Sequence, residues 1–354
     1  MPSVEDLKRI FKKAADAGSS DLHLTSGEKP IVRIDGKLQK LSDEEKMSDH
    51  EIRELVLLTL RPEYVERLRR EKEVDFSFNF DGSRIRANVF FESGTMSGSY
   101  RFITEKIRLF DELGLPPIIQ EFGNYAQGLV VISGPTGHGK STTIAAIIEY
   151  INQSAPKHIV TVEDPVEYVF KSAKSIISQR ELGTDTLSFE RALRSVLRED
   201  PDVVFIGEMR DLPTFDAALT IAETGHLVFT TLHTNSAAQT PDRIIDVFPK
   251  NQQDQVRQQL ANVLTGVVSQ RLIQKSSGQG RAVACEIMIA NPAIKSLIRE
   301  DKTHQIQSVI QMSASEGMIT LDKVLADYVS KGEISLDEAL KWSADPKQFK
   351  QMVF

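Results

Sequence analysis

The stretch GPTGHGKST, residues 134–142, decides the fold. It fits the Walker A pattern, in which a glycine, four further residues, a second glycine, a lysine and a serine form a loop around a phosphate. Backbone N–H groups of such a loop point inward to the anion, and its glycines allow the close approach. We therefore predict that this loop holds the phosphates of a nucleotide such as ATP.

The residues of the loop have different expected roles. Lys140 would pair with the outer phosphates, and Ser141 would offer its hydroxyl to Mg²⁺. Thr142 opens the following helix beside the phosphates, where the positive end of the helix dipole favours an anion. The other residues expected to surround the nucleotide are Gly134, Pro135, Thr136, Gly137, His138 and Gly139.

The flanks of the loop agree with the motif. Residues 129–133 (LVVIS) form a short apolar run typical of a buried parallel strand. Residues 141–151 carry isoleucines at helical spacing, at positions 144, 147, 148 and 151. Strand, loop and helix therefore stand in the order that a phosphate-binding loop requires.

Composition limits the class of protein. The 354 residues allow two or three domains, and 40% hydrophobic with 26% charged residues is ordinary for a globular protein. The single cysteine, Cys285, excludes an intrachain disulfide and a multi-cysteine zinc site. The net charge of −7 gives no overall reason to expect nucleic acid as a partner.

The sequence gives no sign of a membrane segment. Residues 1–17 are charged rather than apolar, so we expect no signal peptide. No apolar run is long enough to span a bilayer, so we expect no direct membrane insertion.

The chain changes character near residue 104. Residues 1–103 are predicted to form a small α/β domain, with a hairpin signal at Asp81-Gly82. Its predicted helical segments are 4–17 and 49–70, and its predicted strands are 21–24, 31–34, 73–80, 84–91 and 97–103. Residues 104–117 contain Gly114 and Pro116-Pro117 and are predicted to be a linker. A second domain would cover residues 118–354, with a helical subregion at 292–354.

Four buried-strand candidates in the second domain alternate with helical segments, at residues 129–133, 158–162, 203–206 and 227–232. This alternation predicts an α/β fold with a doubly wound, mostly parallel sheet. Ligands of such sheets bind at the carboxyl ends of the strands. Polar residues directly after those ends are therefore candidates for the chemistry.

Two glutamates follow strand ends in this way. Glu208 fits a Walker B position, where a carboxylate holds Mg²⁺ through water or orients the attacking water, and Glu163 is equally well placed. One of the two should be the general base, because one group must position the metal while another accepts a proton from water. Asp164 and Asp211 could equally cap the turns or helices that follow them.

Two histidines bracket the fourth strand. His226 and His233 are seven residues apart, so along an extended segment they would lie roughly 23 Å from each other. They cannot ligate one metal unless the chain turns sharply between them. One of them could instead hydrogen-bond a phosphate or the Walker B carboxylate and so sense the nucleotide.

Several segments resemble a known family. Residues 159–169 (IVTVEDPVEYV), 193–211 (LRSVLREDPDVVFIGEMRD) and 222–249 (AETGHLVFTTLHTNSAAQTPDRIIDVFP) look like the Asp box, Walker B and His box of the type II/IV secretion ATPase superfamily. SSDLHL at 19–24 and the PxxRxDG stretch at 30–36 are similar to the PAS-like N-terminal domain of that superfamily. The resemblance implies a RecA-like P-loop domain preceded by a PAS-like domain.

The C-terminal region narrows the resemblance to the ATPases of pilus retraction. AIKSLIRE at 293–300 resembles the AIRNLIRE motif associated with retraction, with Lys295 and Ser296 in place of arginine and asparagine. Extension and secretion ATPases usually carry a four-cysteine zinc module, which one cysteine cannot make. His138 replaces the serine that is commonest in the loop of this family, and we expect its side chain to face solvent.

The resemblance also implies an assembly and a mechanism. It implies a homohexameric ring that hydrolyses ATP with Mg²⁺ at the base of a type IV pilus, on the cytoplasmic face of the inner membrane. Its expected partner is an inner-membrane pilus platform protein. Arginines of the N-terminal domain would reach the nucleotide of a neighbouring subunit, with Arg84, Arg86 and Arg101 as candidates and ordinary solvated charge as the alternative. Arg210 is expected to brace the site through an ion pair.

Other functions stay open on the sequence alone. The chain could be an accessory retraction ATPase that needs a paralogue, or a pilus assembly or secretion ATPase that lost its zinc module. From a different class, it could be a nucleotide-gated scaffold with low turnover. The lysine of the loop, both glutamates and His233 favour hydrolysis over the scaffold.

Overall fold

The computed structural model describes residues 3–34, 37–81, 83–103 and 107–353. Gly82 of the predicted hairpin turn, Asp35 and Gly36 of the PxxRxDG stretch and residues 104–106 of the predicted linker lie outside the described residues. The chain divides into two compact units. The N-terminal unit comprises the residues up to 103 together with Glu167–Val169, and the C-terminal unit comprises the rest from Ile107. Within the described ranges, no helix combines the length and apolarity that crossing a bilayer requires.

The N-terminal unit is one antiparallel sheet with helices packed on one face. Its elements are α1 (Val4–Asp16), β1 (Asp21–Leu24), β2 (Ile31–Ile34), β3 (Lys37–Lys40), α2 (Asp49–Thr59), α3 (Pro62–Glu71), β4 (Glu73–Phe80), β5 (Ser83–Glu92) and β6 (Thr95–Ile103). Among the described residues its sheet has six strands in the order β3-β2-β1-β6-β5-β4. Phe11, Leu22, Leu55 and Tyr100 are fully buried between sheet and helices.

The α/β pattern predicted for this unit agrees closely with the observed elements. The predicted helical stretch at 49–70 divides into two helices, because Leu60 leaves the helical conformation and Pro62 takes the first position of α3. Strand β3 was not predicted, since all of its side chains are exposed and show no apolar alternation.

The C-terminal unit is built on a larger, mostly parallel sheet. Its strands are β7 (Gly128–Ser133), β8 (His158–Glu163), β9 (Ile176–Glu181), β10 (Val203–Ile206), β11 (Leu227–Leu232), β12 (Leu264–Gln274) and β13 (Arg281–Ile289). Over the described part of the chain they lie in the order β13-β12-β7-β11-β10-β8-β9. Only the pairing of β13 with β12 is antiparallel among these strand pairs. The predicted doubly wound, mostly parallel sheet is therefore confirmed.

Helices cover both faces of this sheet. They are α4 (Phe110–Leu113), α5 (Pro117–Glu121), α6 (Lys140–Ser154), α7 (Phe189–Val196), α8 (Leu212–Glu223), α9 (Thr240–Ile245), α10 (Lys250–Val263), α11 (Pro292–Arg299), α12 (Ile306–Met312), α13 (Leu321–Ser330), α14 (Leu336–Trp342) and α15 (Pro346–Val353). Every residue of β7 is buried, with Val130 and Ile132 in the cluster on the α6 face and Leu129 and Val131 in the cluster on the α8 and α10 face. Burial on both faces explains why β7 is a continuous apolar run in the sequence.

The linker predicted at 104–117 is too long. From Ile107 onward the chain belongs to the C-terminal unit, and Phe110 and Leu115 are buried in its core. Gly114 has a positive φ of 65° and ends α4, so the breakers mark a tight turn between α4 and α5 rather than a flexible segment.

The region from Pro292 to Val353 contains the helices α11 to α15. Ile294 and Ile298 of α11 pack into the core beside α10. Leu325 and Phe349 are fully buried against Ile273 of β12 and Ala284 of β13. These C-terminal helices therefore complete the core on the β12 and β13 side of the sheet.

Candidate active site

The phosphate loop lies between the carboxyl end of β7 and the first turn of α6. Gly134, Gly137 and Gly139 have φ angles of +135°, +79° and +83°, which residues with side chains rarely adopt. Lys140 is 8% exposed, and its Nζ donates hydrogen bonds to the carbonyl oxygens of Gly134 at 2.7 Å and Pro135 at 3.0 Å. The ammonium group therefore lies inside the curve of the loop, and Ser141 and Thr142 follow on α6 and are half-buried.

His138 does not face solvent, which corrects the expectation drawn from the sequence. Its Nδ1 accepts a hydrogen bond from the backbone N–H of Leu272 at 3.0 Å. Its ring lies edge to face with Trp342 of α14, with 5.1 Å between the ring centroids. Burial lowers the pKa of the imidazole, and the positive charges of Arg271, Arg281 and Lys140 lower it further. His138 thus attaches the tip of the loop to β12 and to the C-terminal helices.

Glu163 ends β8 and is buried, with only 5% of its surface exposed. Its Oε1 accepts a hydrogen bond from the hydroxyl of Thr161 at 2.6 Å and another from Nε2 of Gln179 at 3.3 Å. Thr161 of β8 and Gln179 of β9 therefore help to hold the carboxylate in place.

Glu208 lies two residues beyond β10 and contacts two of the predicted site residues. Its Oε1 forms an ion pair with Arg210, and its Oε2 lies 3.3 Å from Nε2 of His233. The ion pair predicted for Arg210 is thus present. Of the two alternatives for His233, the structure supports the contact with the Walker B carboxylate.

The segments that carry the two glutamates are joined to each other. The N–H of Gly207 donates to the carbonyl of Val162 at 2.8 Å, one residue before each glutamate. Arg210 also reaches Asp164, with 3.6 Å between Nη1 and Oδ2. Asp211 caps α8 instead, accepting from the backbone N–H of Thr214 at 3.1 Å and from its hydroxyl at 2.6 Å.

His226 lies away from this cluster. It precedes β11, whereas the phosphate loop follows the carboxyl end of the parallel strand β7, so the two occupy opposite edges of the sheet. Its Nδ1 lies 3.0 Å from the carbonyl oxygen of Ile221 near the end of α8. The structure thus gives His226 a packing position and does not bring it to the phosphate loop.

The three candidate arginines belong to the N-terminal unit, on the sheet face that the helices leave uncovered. Arg86 and Arg101 are directly opposite each other on β5 and β6, and Arg101 is directly opposite Asp21 on β1. The Nε of Arg101 donates to Asp21 at 2.8 Å while 61% of the arginine side chain stays exposed. Arg84 lies two residues along β5 from Arg86 and donates to the side chain of Asn79 at 3.3 Å.

The donor groups near the loop suit a metal ion that is shared with a nucleotide. Within the described ranges, no three or more His, Cys, Asp or Glu side chains are grouped so that they could hold a metal. Mg²⁺ at phosphoryl-transfer sites takes one or two protein oxygens and completes its shell with phosphate and water. The Ser141 hydroxyl and the carboxylates of Glu163 and Glu208 are donors of that kind.

Several residues that contact the site were not singled out from the sequence. Gln270 and Arg271 of β12, Thr161 and Gln179 beside Glu163, and Trp342 beside His138 form most of these contacts. Gln270 and Arg271 are buried polar residues inside an otherwise apolar stretch, and that pattern is the signal that could have identified them.

Comparisons with known proteins point to one family. A family model described as type II/IV secretion system protein matches residues 1–341. The type IV pilus retraction ATPase PilT of Pseudomonas aeruginosa is 45% identical over 348 residues, covering 97% of this chain and all of that protein. A twitching motility protein of Neisseria gonorrhoeae is 44% identical over 91% of this chain and 87% of its own length.

A solved structure shares the whole fold. The crystal structure of the pilus retraction motor PilT with bound ADP matches with a TM-score of 0.91 at 47% identity, covering 97% of this chain and 98% of that chain. The predicted α/β fold with a mostly parallel sheet is therefore confirmed, and the two-domain architecture is consistent with this family.

Proposed function

The chain belongs to the type II/IV secretion system protein family, and from that premise we propose that it is the ATP-hydrolysing motor that retracts type IV pili and powers twitching motility. The observation that carries this proposal is the contact of Glu208 with both Arg210 and His233 at the same sheet edge as Glu163 and the phosphate loop. A scaffold that only binds nucleotide needs the loop but not this second layer of charged groups. The high identity to a retraction ATPase over both chains supports retraction over secretion.

The loop binds and orients the phosphates. Its positive-φ glycines open the backbone to an anion, and Lys140 lies where its ammonium can exchange loop carbonyls for phosphate oxygens. The N-terminus of α6 adds the positive end of a helix dipole at the same place. Mg²⁺, held by Ser141 and a carboxylate together with the nucleotide, would neutralise charge on the phosphates.

The two glutamates have different surroundings, and we assign them different roles. Glu208 is already paired with the guanidinium of Arg210, whereas Glu163 accepts hydrogen bonds from the neutral donors Thr161 and Gln179. Glu208 belongs to a group of charged side chains that suits the organisation of a metal ion and its water, whereas Glu163 is a buried carboxylate held at the end of β8. We therefore propose that Glu163 takes the proton of the attacking water and that Glu208 organises the metal and its bound water.

His233 is suited to report the state of the nucleotide. It contacts Glu208 at 3.3 Å while 53% of its side chain stays exposed. A change at the phosphates that moves Glu208 would therefore be passed to His233 and to the loop that follows β11. This step would connect hydrolysis to movement.

The arginine row of the N-terminal unit supports assembly into a ring. Arg86 and Arg101 lie directly opposite each other on adjacent strands, and Arg101 stays 61% exposed although it pairs with Asp21, so this face presents positive charge to an anion. We propose that this row meets the nucleotide of a neighbouring subunit in a homohexamer. The ring would act at the cytoplasmic face of the inner membrane on a pilus platform protein, alone or with a paralogous ATPase.

An ATPase assay tests the enzymatic part. We expect Glu163→Gln and Glu208→Gln to lower kcat by about 10²- to 10⁴-fold, the usual effect of removing a catalytic acid or base. Lys140→Ala should abolish nucleotide binding. Glu190→Gln and Lys174→Ala, at exposed positions on α7 and before β9, are the matched controls. If wild-type protein hydrolyses ATP no faster than the two glutamate variants, the motor function is wrong.

Deletion of the gene in its host tests the biological part. Loss of a retraction motor predicts excess, immobile surface pili, whereas loss of an extension motor predicts none. A copy carrying Glu163→Gln should not restore twitching. If a catalytically inactive copy restores it while a paralogue is present, the chain is an accessory component instead.

A further inference from the structure

Strand β12 runs beside β7 and reaches both active-site loops. Ser269 of β12 is paired with Ser133, the residue before the phosphate loop. Gln270 and Arg271 follow at the same level. Because successive side chains of a strand point to opposite faces, these two residues lie on different faces of the sheet.

Gln270 holds the phosphate loop. Its side chain is 2% exposed, its Oε1 accepts from the Thr143 hydroxyl at 2.7 Å, and its Nε2 donates to the His138 carbonyl at 2.8 Å. A Cβ at Gly139 would lie 2.8 Å from this Nε2, and a Cβ at Gly134 would overlap the Gln270 carbonyl oxygen. Two glycines of the motif are thus needed because Gln270 lies so close to the loop.

Arg271 holds the other loop, which begins at His233. Arg271 is 4% exposed, and its guanidinium donates to the Asn235 carbonyl at 2.7 Å. The same guanidinium donates to the Gln270 carbonyl at 3.0 Å and lies over the ring of Trp342, 5.8 Å from its centroid. The carboxylate of Glu286, buried on β13, accepts from the N–H of Ala237 at 2.6 Å in the same loop. The loop that carries His233 is therefore fixed at two backbone positions, just after the histidine that contacts Glu208.

We infer that Gln270 and Arg271 each position mainly one half of the active site. Gln270 sets the phosphate loop, and Arg271 sets the loop through which His233 contacts Glu208. Both are positioning residues, since each acts through another group. The inference rests on the proposed ATPase function, but its first consequence concerns nucleotide binding alone.

Substitutions at these two adjacent residues should therefore change different quantities: nucleotide affinity at Gln270 and kcat at Arg271. Gln270→Leu keeps the volume and removes both hydrogen bonds, so affinity for ADP should fall about tenfold, as expected for a lost buried hydrogen bond, and KM for ATP should rise by a similar factor. Arg271→Lys keeps the charge but loses the planar donor, so kcat should fall about tenfold while ADP affinity stays within about threefold.

A second readout for Arg271 does not need turnover. The proposed function places His233 and Glu208 beside the third phosphate of ATP, so Arg271→Lys should reduce the preference for a non-hydrolysable ATP analogue over ADP. Gln270→Leu should weaken both ligands equally. Calorimetry gives both affinities.

Matched controls are available on exposed surfaces. Gln274→Leu changes the same residue type on the exposed end of β12, and Arg194→Lys changes an exposed arginine of α7. Both should behave as wild type in every assay. The Arg271→Lys protein is confirmed as folded by its unchanged ADP affinity.

The outcomes separate the inference from the proposed function. If Gln270→Leu and Arg271→Lys alter KM and kcat in the same proportion, if Gln270→Leu binds ADP as tightly as Gln274→Leu, or if Arg271→Lys keeps the preference for the ATP analogue that Arg194→Lys shows, this division of positioning is overturned. If wild type binds ADP but hydrolyses no ATP, the proposed function fails, while the two affinity measurements still decide the positioning of the loops.

Discussion

The phosphate loop takes its path because a neighbouring strand approaches it closely. Gly134 combines a φ of +135° with direct contact to the backbone of β12, whereas Gly137 has a φ of +79° and open space around it. Glycine therefore serves two purposes in this motif. At both positions it allows a positive φ, and at Gly134 it also allows the backbone of β12 to approach closely.

Alanine substitutions at Gly134 and Gly137 should destabilise the protein by different amounts. Gly137→Ala should cost about 1 kcal/mol, the usual price of a positive φ for a residue with a side chain. Gly134→Ala should cost about 3 kcal/mol or more, because its Cβ meets a carbonyl oxygen of β12 that cannot move freely. Urea denaturation measures both, and equal losses for the two variants would contradict the role given to β12.

His138 should make the stability of the protein depend on pH. Burial and nearby cations lower its pKa, so the fold favours the neutral imidazole that accepts from Leu272. As the pH falls below the ordinary histidine pKa of about 6.5, the unfolded chain takes up the proton first. This contribution to stability is thus complete above about pH 6.5 and is lost as the pH falls through the lowered pKa of the folded protein.

The variant His138→Asn removes the titration and keeps an acceptor for the same N–H. Between about pH 7.5 and pH 5.5, we expect the Tm of the wild type to fall more than that of the variant. Thermal scans at a series of pH values measure the difference. Parallel curves for the two proteins would show that this histidine does not titrate differently on folding.

Among the secondary-structure elements, α11 has one buried face and one exposed face. Ile294 and Ile298 are fully buried in the core, whereas Arg299 and Glu300 are exposed at the end of the helix. The segment that resembles the retraction motif therefore combines a packing function with a surface that a partner can reach.

Substitutions on the buried and exposed faces of α11 should differ in their effect on the free energy of unfolding. Ile298→Ala should lower the free energy of unfolding by about 2–5 kcal/mol, the cost of truncating a buried isoleucine. Arg299→Ala should change it by less than about 0.5 kcal/mol, as for other exposed positions. Denaturation curves test both, and a loss of twitching with Arg299→Ala at unchanged stability would assign coupling to the exposed face.

At the scale of the whole molecule, the two units have separate hydrophobic cores. Leu55 is fully buried in the core of the N-terminal unit and Leu260 in that of the C-terminal unit, and the two clusters share no residue. A cavity in one core should therefore leave the other intact.

Hydrogen exchange tests this separation. Leu55→Ala should accelerate exchange in the helices and strands of residues 3–103, and Leu260→Ala in those of the C-terminal unit. Each truncation should cost about 2–5 kcal/mol in its own unit. Faster exchange throughout both units after either substitution would show that the units unfold together.

The sequence by itself determined the central part of the C-terminal unit. A buried parallel strand has to be an uninterrupted apolar run, and a phosphate loop has to place glycine and lysine at fixed spacing, so β7, β8, β10, β11 and the loop could be predicted from local patterns. The shared position of Glu163, Glu208 and His233 could also be predicted, because the carboxyl ends of parallel strands lie at the same edge of a sheet.

Only the tertiary structure decided how the site is held. Strand β12 was not predicted, because Ser269, Gln270 and Arg271 interrupt its apolar pattern. Those side chains are buried at low cost because their partners come from other parts of the chain, including His138 at a separation of 132 residues. Local sequence patterns report the conformation and burial of a few neighbouring residues. The order in which strands pack into the sheet is not visible in such patterns. That order decides where His138 lies, why His226 is away from the loop and which residues β12 contacts.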